Sequence, residues 1–394
     1  MGARIAIMGA GAVGCYAGAH MAKAGEDVTF IDPWPEHVEA MRSKGLKISH
    51  LKDVPEFTTK VRALHLTELQ SLAKEKPIDI AFVCMKSYDT AWATTMIKQY
   101  LAPEGYIVSL QNCINEERIA QHVGWGRVVG CIASLIAVEL YQAGHVKRTV
   151  EMGGDKHTVF RVGEPHGRVT PRAEEVAALL RSADSAKVTT NLWGERWSKL
   201  VINSMRNGLS AATGMSGNQR DSAEVSRWVS IRLGSQAVRV GQALGYSLER
   251  MLGMEAEMLA LAGEGNKDAL AGITDILMEG AKKRSDDQRP SMAQDMFKGR
   301  RTETDFINGY VAERGAFIGV PAPLHVKMND LVHRVERGDE FELWCRGELG
   351  DVGDPKDGVA QSHLLRLGVR ARDCVFGDVA AGERGRGEFA REQV

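Results

Sequence analysis

The sequence predicts an α/β chain in which an N-terminal doubly wound parallel sheet is followed by an all-helical C-terminal domain. Three observations predict it. A short apolar run, RIAIM at 4–8, passes directly into Gly9-Ala10-Gly11-Ala12-Val13-Gly14 and then into a helix-compatible stretch. Apolar runs and helix-compatible stretches then alternate through the first half, as in a sheet wound with helices on both faces. Beyond residue 191 the pattern is almost wholly helical. The chain has 394 residues, 44% of them hydrophobic, which is enough for two buried cores. We read the domains as 1–190, 191–338 and an extension at 339–394.

The glycine turn opens the chain's chemistry. Gly9 permits a tight turn, Gly11 lets a pyrophosphate approach the backbone, and Gly14 lets the helix pack on its strand while its first amides face the phosphates. A lone GxGxxG is weak evidence, but here a second apolar strand at 28–31 follows the turn at 25–27 and ends in Asp32, completing a Rossmann-type βαβ unit. A carboxylate at that strand end accepts hydrogen bonds from ribose hydroxyls and repels a 2′-phosphate. No Arg follows directly, only Pro33, Trp34 and Pro35, with Arg42 and Lys44 further on. The expectation is therefore NAD(H) over NADP(H), with NADP(H) as the second option and Trp34 or His37 flanking the adenine.

Further strands of the same sheet are expected at 45–48, 78–84, 106–110 and 128–136, with a helix at 90–100. Two strand ends carry polar residues where ligands bind such sheets: Met85-Lys86-Ser87 and Gln111-Asn112. Lys86 fits an ordinary loop lysine equally well, whereas Asn112 is the better candidate for contact near a nicotinamide. Residues 188–191 mark the hinge.

The stretch 193–214, WGERWSKLVINSMRNGLSAATG, opens the second half and places Lys199, Asn203 and Asn207 at i, i+4 and i+8. These positions drift only about 40° per step and span roughly 12 Å, so they form a polar stripe. Leu200, Val201, Leu209 and Ala212 lie at other angles and face a core, and Gly214 stops the helix. Alone, such a stripe also fits a solvated face. Helices are expected next at 222–244, 248–262, 267–284, 302–319 and from Pro323 to Arg337. Between them, RPSMAQD at 289–295 enters a helix at Ser291, either as a helix cap or as a carboxylate holder.

Composition narrows the field. Lys plus Arg number 50 against 51 Asp plus Glu, a net charge of -1, which provides no bulk field for nucleic acid or anionic membrane. No apolar run reaches the length of a membrane span and no leader pattern opens the chain, so a cytoplasmic protein is expected. Cys15, Cys84, Cys113, Cys131, Cys345 and Cys374 show no metal-ligand spacing, and we read them as reduced thiols, with no metal site.

Taken together, the glycine turn, GEPHG at 163–167, WSKLVINSMRN at 197–207, RPSMAQD at 289–295 and GRRTETDFINGY at 299–310 resemble the ketopantoate reductase (2-dehydropantoate 2-reductase) family. The resemblance runs in order to about Arg337. It implies a Rossmann domain, a helical domain, a cleft between them, and hydride transfer to the carbonyl of a 2-keto acid. Carried onto matching residues, it makes Lys199 the proton donor to the carbonyl oxygen and Glu303 the group that orients catalysis or accepts a substrate hydroxyl. Asn203 and Asn207 would fix substrate groups, Ser291 would hold the carboxylate, Asn112 would bridge cofactor and lysine, and Lys86 matches a lysine near the cofactor. It also implies pairing through the helical domain, hence a homodimer.

The chain departs from the family's pattern in three places. Members of the pantothenate pathway typically use NADPH with a basic residue where this chain has Asp32. The stretch between Asn207 and Ser291 is longer than in compact members. The extension, rich in Gly, Arg and Asp, lies outside the resemblance, with an apolar run at 364–376 that suits docking, as on a second subunit. These departures suggest a related 2-keto or 3-hydroxy acid as substrate, in a catabolic, oxidative direction with NAD as acceptor. Two alternatives stand beside this reading: another 2- or 3-hydroxyacid or opine-type dehydrogenase on the same plan, or a non-catalytic NADH-binding sensor.

Overall fold

Strand β1 (Arg4–Met8) is buried at every position, because it lies in the middle of a sheet covered on both faces. In the computed structural model, which describes residues 2–51, 54–282, 284 and 288–338, it pairs in parallel with β2 (Asp27–Asp32) and with β6 (Ile78–Val83). Around these stand β5 (Arg62–His65), β7 (Leu101–Ser109), β8 (Val128–Ala133), β11 (Phe160–Gly163) and β12 (Ala186–Thr189), in the order β12-β11-β8-β7-β6-β1-β2-β5. The six strands from β8 to β5 run parallel, and β11 turns against β8. All their carboxyl ends therefore meet one edge of the sheet.

Helices close both faces. Ile5, Ile7, Phe30 and Phe82 pack with α1 (Ala12–Lys23) and α5 (Pro171–Arg181), while Ala6, Met8, Ile31 and Val83 pack with α3 (Thr90–Ile97) and α4 (Glu116–Val123). Alternate residues of one strand thus feed two cores. Helix α2 (Pro35–Lys44) follows β2.

Three expectations need correction here. The run at 45–48 is not part of this sheet: β3 (Leu46–Ser49) joins a separate four-stranded sheet with β4 (Phe57–Thr59), β9 (Val138–Gln142) and β10 (His145–Arg148). Its burial alternates, with Leu46 and Ile48 inside, as suits a sheet with one wet face, and the short RALH of β5 takes the place beside β2 instead. The strand expected to reach 136 stops at Ala133, where Leu135 adopts φ 53° and turns the chain. The helix expected from 90 to 100 is α-helical only to Ile97.

The second half is helical throughout its described part. It consists of α6 (Leu192–Thr213), α7 (Gly217–Ser222), α8 (Glu224–Ala243), α9 (Ala256–Gly263), α10 (Lys267–Lys282), α11 (Ser291–Phe297), α12 (Thr304–Phe317) and α13 (Pro323–Glu336). Gly214, at φ 73°, ends α6 as a left-handed residue. The helix expected at 248–262 begins only at Ala256, since Leu252 and Gly253 take φ 51° and 88° and break the preceding turn. Among the described residues two compact units result, one reaching to Val201 with Gly241–Met251 and Asp305–Tyr310, the other of Ile202–Val240, Leu252–Thr304 and the described residues from Val311. The 339–394 extension, with its apolar run at 364–376 and both Cys345 and Cys374, lies outside the described residues. Among the described residues no helix is long and apolar enough to cross a membrane.

Candidate active site

The three glycines of the first turn are there for different reasons. Gly9 has φ 95°, and a Cβ on it would stand 2.9 Å from the Met85 amide nitrogen. A Cβ on Gly14 would stand 2.4 Å from the Gly9 carbonyl oxygen, so α1 packs here only on a glycine. Gly11 differs: its φ of -72° suits any residue and a Cβ would meet nothing within 4 Å. Packing does not require a glycine at this position. The free space lies at the amino end of α1, whose cap position contributes no side-chain hydrogen bond to the first-turn amides. Free space before uncapped amides is what a pyrophosphate requires, so the turn fits a dinucleotide.

Asp32 ends β2 at 8% exposure and accepts a hydrogen bond of 3.0 Å from the Trp34 amide. Burial pushes its carboxyl above the usual value, and the Trp34 amide opposes that shift. Of the two residues expected at the adenine, His37 is excluded, because it is fully buried and both ring nitrogens are used. Its Nδ1 accepts from the Gly144 amide at 2.9 Å, which leaves the proton on Nε2 to donate to the Ala10 carbonyl at 2.8 Å. His37 thus fixes the glycine turn from behind, and burial lowers its pKa accordingly. Trp34, half-buried, stacks over it with ring centroids 5.4 Å apart.

Further along the same edge, the ends of β6 and β7 are tied together. Gln111 Nε2 donates to the Met85 carbonyl and to Thr90 Oγ1, each at 2.8 Å. Asn115 Nδ2 donates to Ser87 Oγ at 3.0 Å and to the Asn112 carbonyl at 2.9 Å. This lattice presents Lys86 and Asn112, both half-buried, side by side in the order of the strands. The buried Oδ1 of Asn115 has no hydrogen-bond partner among the described residues.

Lys199 reaches this edge from α6, its ammonium donating to the carbonyl of Ala133, the last residue of β8. One turn earlier on the same helix, Arg196 anchors it. Its guanidinium donates to Glu116 Oε1 at 2.8 Å, to the Gln111 carbonyl at 2.7 Å and to the Ser109 carbonyl at 2.8 Å. Arg196 and Glu116 are 1% and 0% exposed, a fully desolvated ion pair whose partners occupy almost every donor of the fork. Cys131, pushed up to about 12 by burial, has Arg196, Lys199 and Glu116 as its charged neighbours. Sequence reasoning missed Arg196, Glu116 and Asn115. The available signal was only that Arg196 stands three positions before Lys199, on the same side of the helix.

The remaining candidates belong to the second unit. Asn203 is half-buried and Asn207 is 6% exposed, on the same side of α6 by helical spacing. Ser291 is the first residue of α11 and Pro290 takes the cap position, so the serine is not a helix cap. Glu303 precedes α12 at 4% exposure, and the adjoining Thr302 amide donates to Glu336 Oε1 at 2.6 Å. The structure thus assembles the glycine turn, Lys86, Asn112 and Lys199 on one sheet edge, and holds Asn203, Asn207, Ser291 and Glu303 in the helical unit. No group of three or more His, Cys, Asp or Glu able to hold a metal occurs among the described residues.

Comparison with known proteins gives consistent results. The family profile "Ketopantoate reductase PanE/ApbA" matches residues 5–160, and its C-terminal counterpart matches residues 191–336. A 2-dehydropantoate 2-reductase of Archaeoglobus fulgidus is 30% identical over 344 residues, covering 85% of this chain and 98% of that protein. Among solved structures, a PanE/ApbA family ketopantoate reductase from Ralstonia eutropha superposes with a TM-score of 0.68 at 26% identity, covering 86% of this chain and 99% of that one. A D-mandelate dehydrogenase solved with NADH and anilino(oxo)acetate superposes with a TM-score of 0.69, covering 85% and 99%, and at 21% identity it is a likeness of fold.

Proposed function

Because this chain belongs to the ketopantoate reductase PanE/ApbA family, we propose that it is a nicotinamide-dependent reductase that interconverts a 2-keto acid and its 2-hydroxy acid, with Lys199 as general acid. One observation carries the reading. The glycine turn, Asn112 and the Lys199 ammonium all lie along the carboxyl edge of a single parallel sheet, and that ammonium is held at the end of β8 by the Ala133 carbonyl. In such sheets that edge is where a dinucleotide and its reaction partner meet.

Gly9, Ala10, Gly11, Ala12, Val13 and Gly14 would hold the pyrophosphate through backbone amides, and Asp32 the adenine ribose, with Lys86 and Asn112 nearer the reacting end. The bound cofactor supplies the hydride that adds to the carbonyl carbon. As negative charge gathers on the carbonyl oxygen, Lys199 donates a proton to it, giving the hydroxyl, and the neutral amine regains its proton from solvent. Asn203 and Asn207 would hold substrate oxygens without titrating, Ser291 the carboxylate, and Glu303 a substrate hydroxyl or the orientation of the catalytic group. With Asp32 at the ribose, NADH is the preferred cofactor and NADPH the poorer one. Ketopantoate is the first substrate to test, because it names the relatives' activity.

The test is Lys199→Ala. Its turnover with the best 2-keto acid should fall by roughly 10²–10⁴-fold while NADH still quenches tryptophan fluorescence as in the parent. A near-normal rate in that variant would exclude Lys199 as the acid.

A further inference from the structure

A second carboxylate stands close to Asp32 at the ribose end of the dinucleotide site. Strand β5 ends the main sheet beside β2, and in their register His65 lies opposite Asp32 and Ala63 opposite Phe30. Parallel neighbours are about 5 Å apart, so the His65 backbone adjoins the strand end at which a ribose is held. His65 also ties down the chain that leaves β2. Its Nδ1 accepts from the Thr67 amide at 3.4 Å, which leaves the proton on Nε2 to donate to the Pro33 carbonyl at 2.9 Å. Glu68 Oε2 in turn accepts from the His65 amide at 2.7 Å.

The same oxygen accepts from Arg42 Nη2, the arginine of α2. Two donors on one acceptor are no more than about 6 Å apart, two hydrogen-bond lengths, so the guanidinium is brought to within reach of the Asp32 strand end. Its Nε donates to the Ala63 carbonyl at 2.8 Å, which secures the side chain along β5. An arginine near this point is what accommodates a 2′-phosphate in dinucleotide sites of this kind. Here Glu68 occupies it. With side-chain exposures of 35% and 42%, the Arg42–Glu68 pair adds little to the stability of the fold. The turn at 65–68 requires only the Glu68 oxygen and Ala63 only the Arg42 Nε, so neither contact demands that the two charges be joined. Arg42, together with the His65 amide, holds the Glu68 carboxyl below its usual value, and the pair is charged at neutral pH.

We propose that Glu68 is a cofactor-specificity residue that acts with Asp32, by holding Arg42 away from a 2′-phosphate. A dinucleotide with a free 2′-hydroxyl is accepted and its 2′-phosphorylated form is refused. The inference rests on the dinucleotide-binding part of the proposed function and deepens its preference for NADH; it does not depend on which acid is reduced. Released from Glu68, the Nη groups of Arg42 become available to a phosphate, with which a guanidinium pairs through parallel N–H donors.

The experiment titrates NADH, NADPH, ADP and 2′,5′-ADP by calorimetry, with no keto acid present. The proteins are the wild type, Asp32→Asn, Asp32→Asn with Glu68→Gln, and that double variant with Arg42→Gln added. Glutamine keeps an oxygen for the His65 amide, so the turn at 65–68 is preserved. The wild type should bind NADH at least about tenfold more tightly than NADPH. On the Asp32→Asn background, Glu68→Gln should tighten NADPH and 2′,5′-ADP by about fivefold or more while NADH and ADP stay within about twofold, and Arg42→Gln should remove that gain. High salt should shrink the gain, because the groups involved are exposed charges. No gain from Glu68→Gln, or a gain that survives Arg42→Gln, would overturn the role given to the pair, as would a wild type that binds NADPH as tightly as NADH. A protein with the expected binding pattern that reduces no 2-keto acid would fail the reductase reading and leave this one standing. Absence of binding by all four nucleotides would overturn the dinucleotide site and the role of Glu68 with it.

Discussion

At the scale of single residues, the glycine turn gives the sharpest expectation, because two of its glycines have different neighbours. Gly14→Ala forces a Cβ to within 2.4 Å of the Gly9 carbonyl oxygen and should cost about 1–3 kcal/mol of stability as well as cofactor binding. Gly11→Ala meets nothing within 4 Å, so its melting temperature should match the parent while NADH affinity drops about tenfold or more. Equal losses of stability in the two variants, read by urea denaturation beside NADH titration, would mean that Gly11 is also a packing glycine. The buried pair gives a second expectation. Glu116→Gln leaves Arg196 in the core without its counter-charge and should destabilise by roughly 3–5 kcal/mol. What the sequence revealed at this scale was local chemistry: GAGAVG, Asp32 and the Lys-x3-Asn-x3-Asn stripe are read from neighbours a few positions apart. Arg196 escaped because its partner is 80 residues away, and nothing local marks an arginine as buried.

At the scale of elements, α6 was legible end to end because its period is long and Gly214 closes it. β3 and β5 were not. Both are four residues long, and the choice of which one joins the main sheet depends on pairing partners distant in sequence, which no local pattern encodes. The start of α9 was missed for a different reason, since two left-handed residues, one of them a leucine, interrupt an otherwise helical composition. The helices also contain a pH dependence. His325 on α13 is 0% exposed and donates from Nε2 to the Leu233 carbonyl at 2.9 Å, and burial lowers it to about 4; His20 on α1 is lowered to about 4 by the same cause. Both are neutral in the folded state and protonate more readily when unfolded. Their contribution is therefore complete above an ordinary histidine value of about 6.5 and is lost as the pH falls toward the folded value, by about 3 kcal/mol for His325 alone. Melting temperatures between pH 7 and pH 4 should fall less steeply in His325→Gln than in the parent. Parallel curves would remove His325 from the account.

At the scale of the whole molecule, family membership and the sheet edge agree on the class of reaction, while the cofactor and the acid are set by a few side chains. Asp32 is the feature that would separate this chain's chemistry from NADPH-dependent reduction of ketopantoate. The sequence marks a hinge near 188–191, whereas the division of the chain into compact units falls between Val201 and Ile202, inside α6, a helix too regular to show a boundary. The most direct measurement is steady-state oxidation of NADH and, separately, of NADPH by the purified protein with ketopantoate and a panel of 2-keto mono- and dicarboxylic acids. At least one 2-keto acid should be reduced, with NADH giving the higher kcat/KM. Failure of every 2-keto acid with both cofactors would contradict the central claim, and a clear preference for NADPH would contradict the role assigned to Asp32.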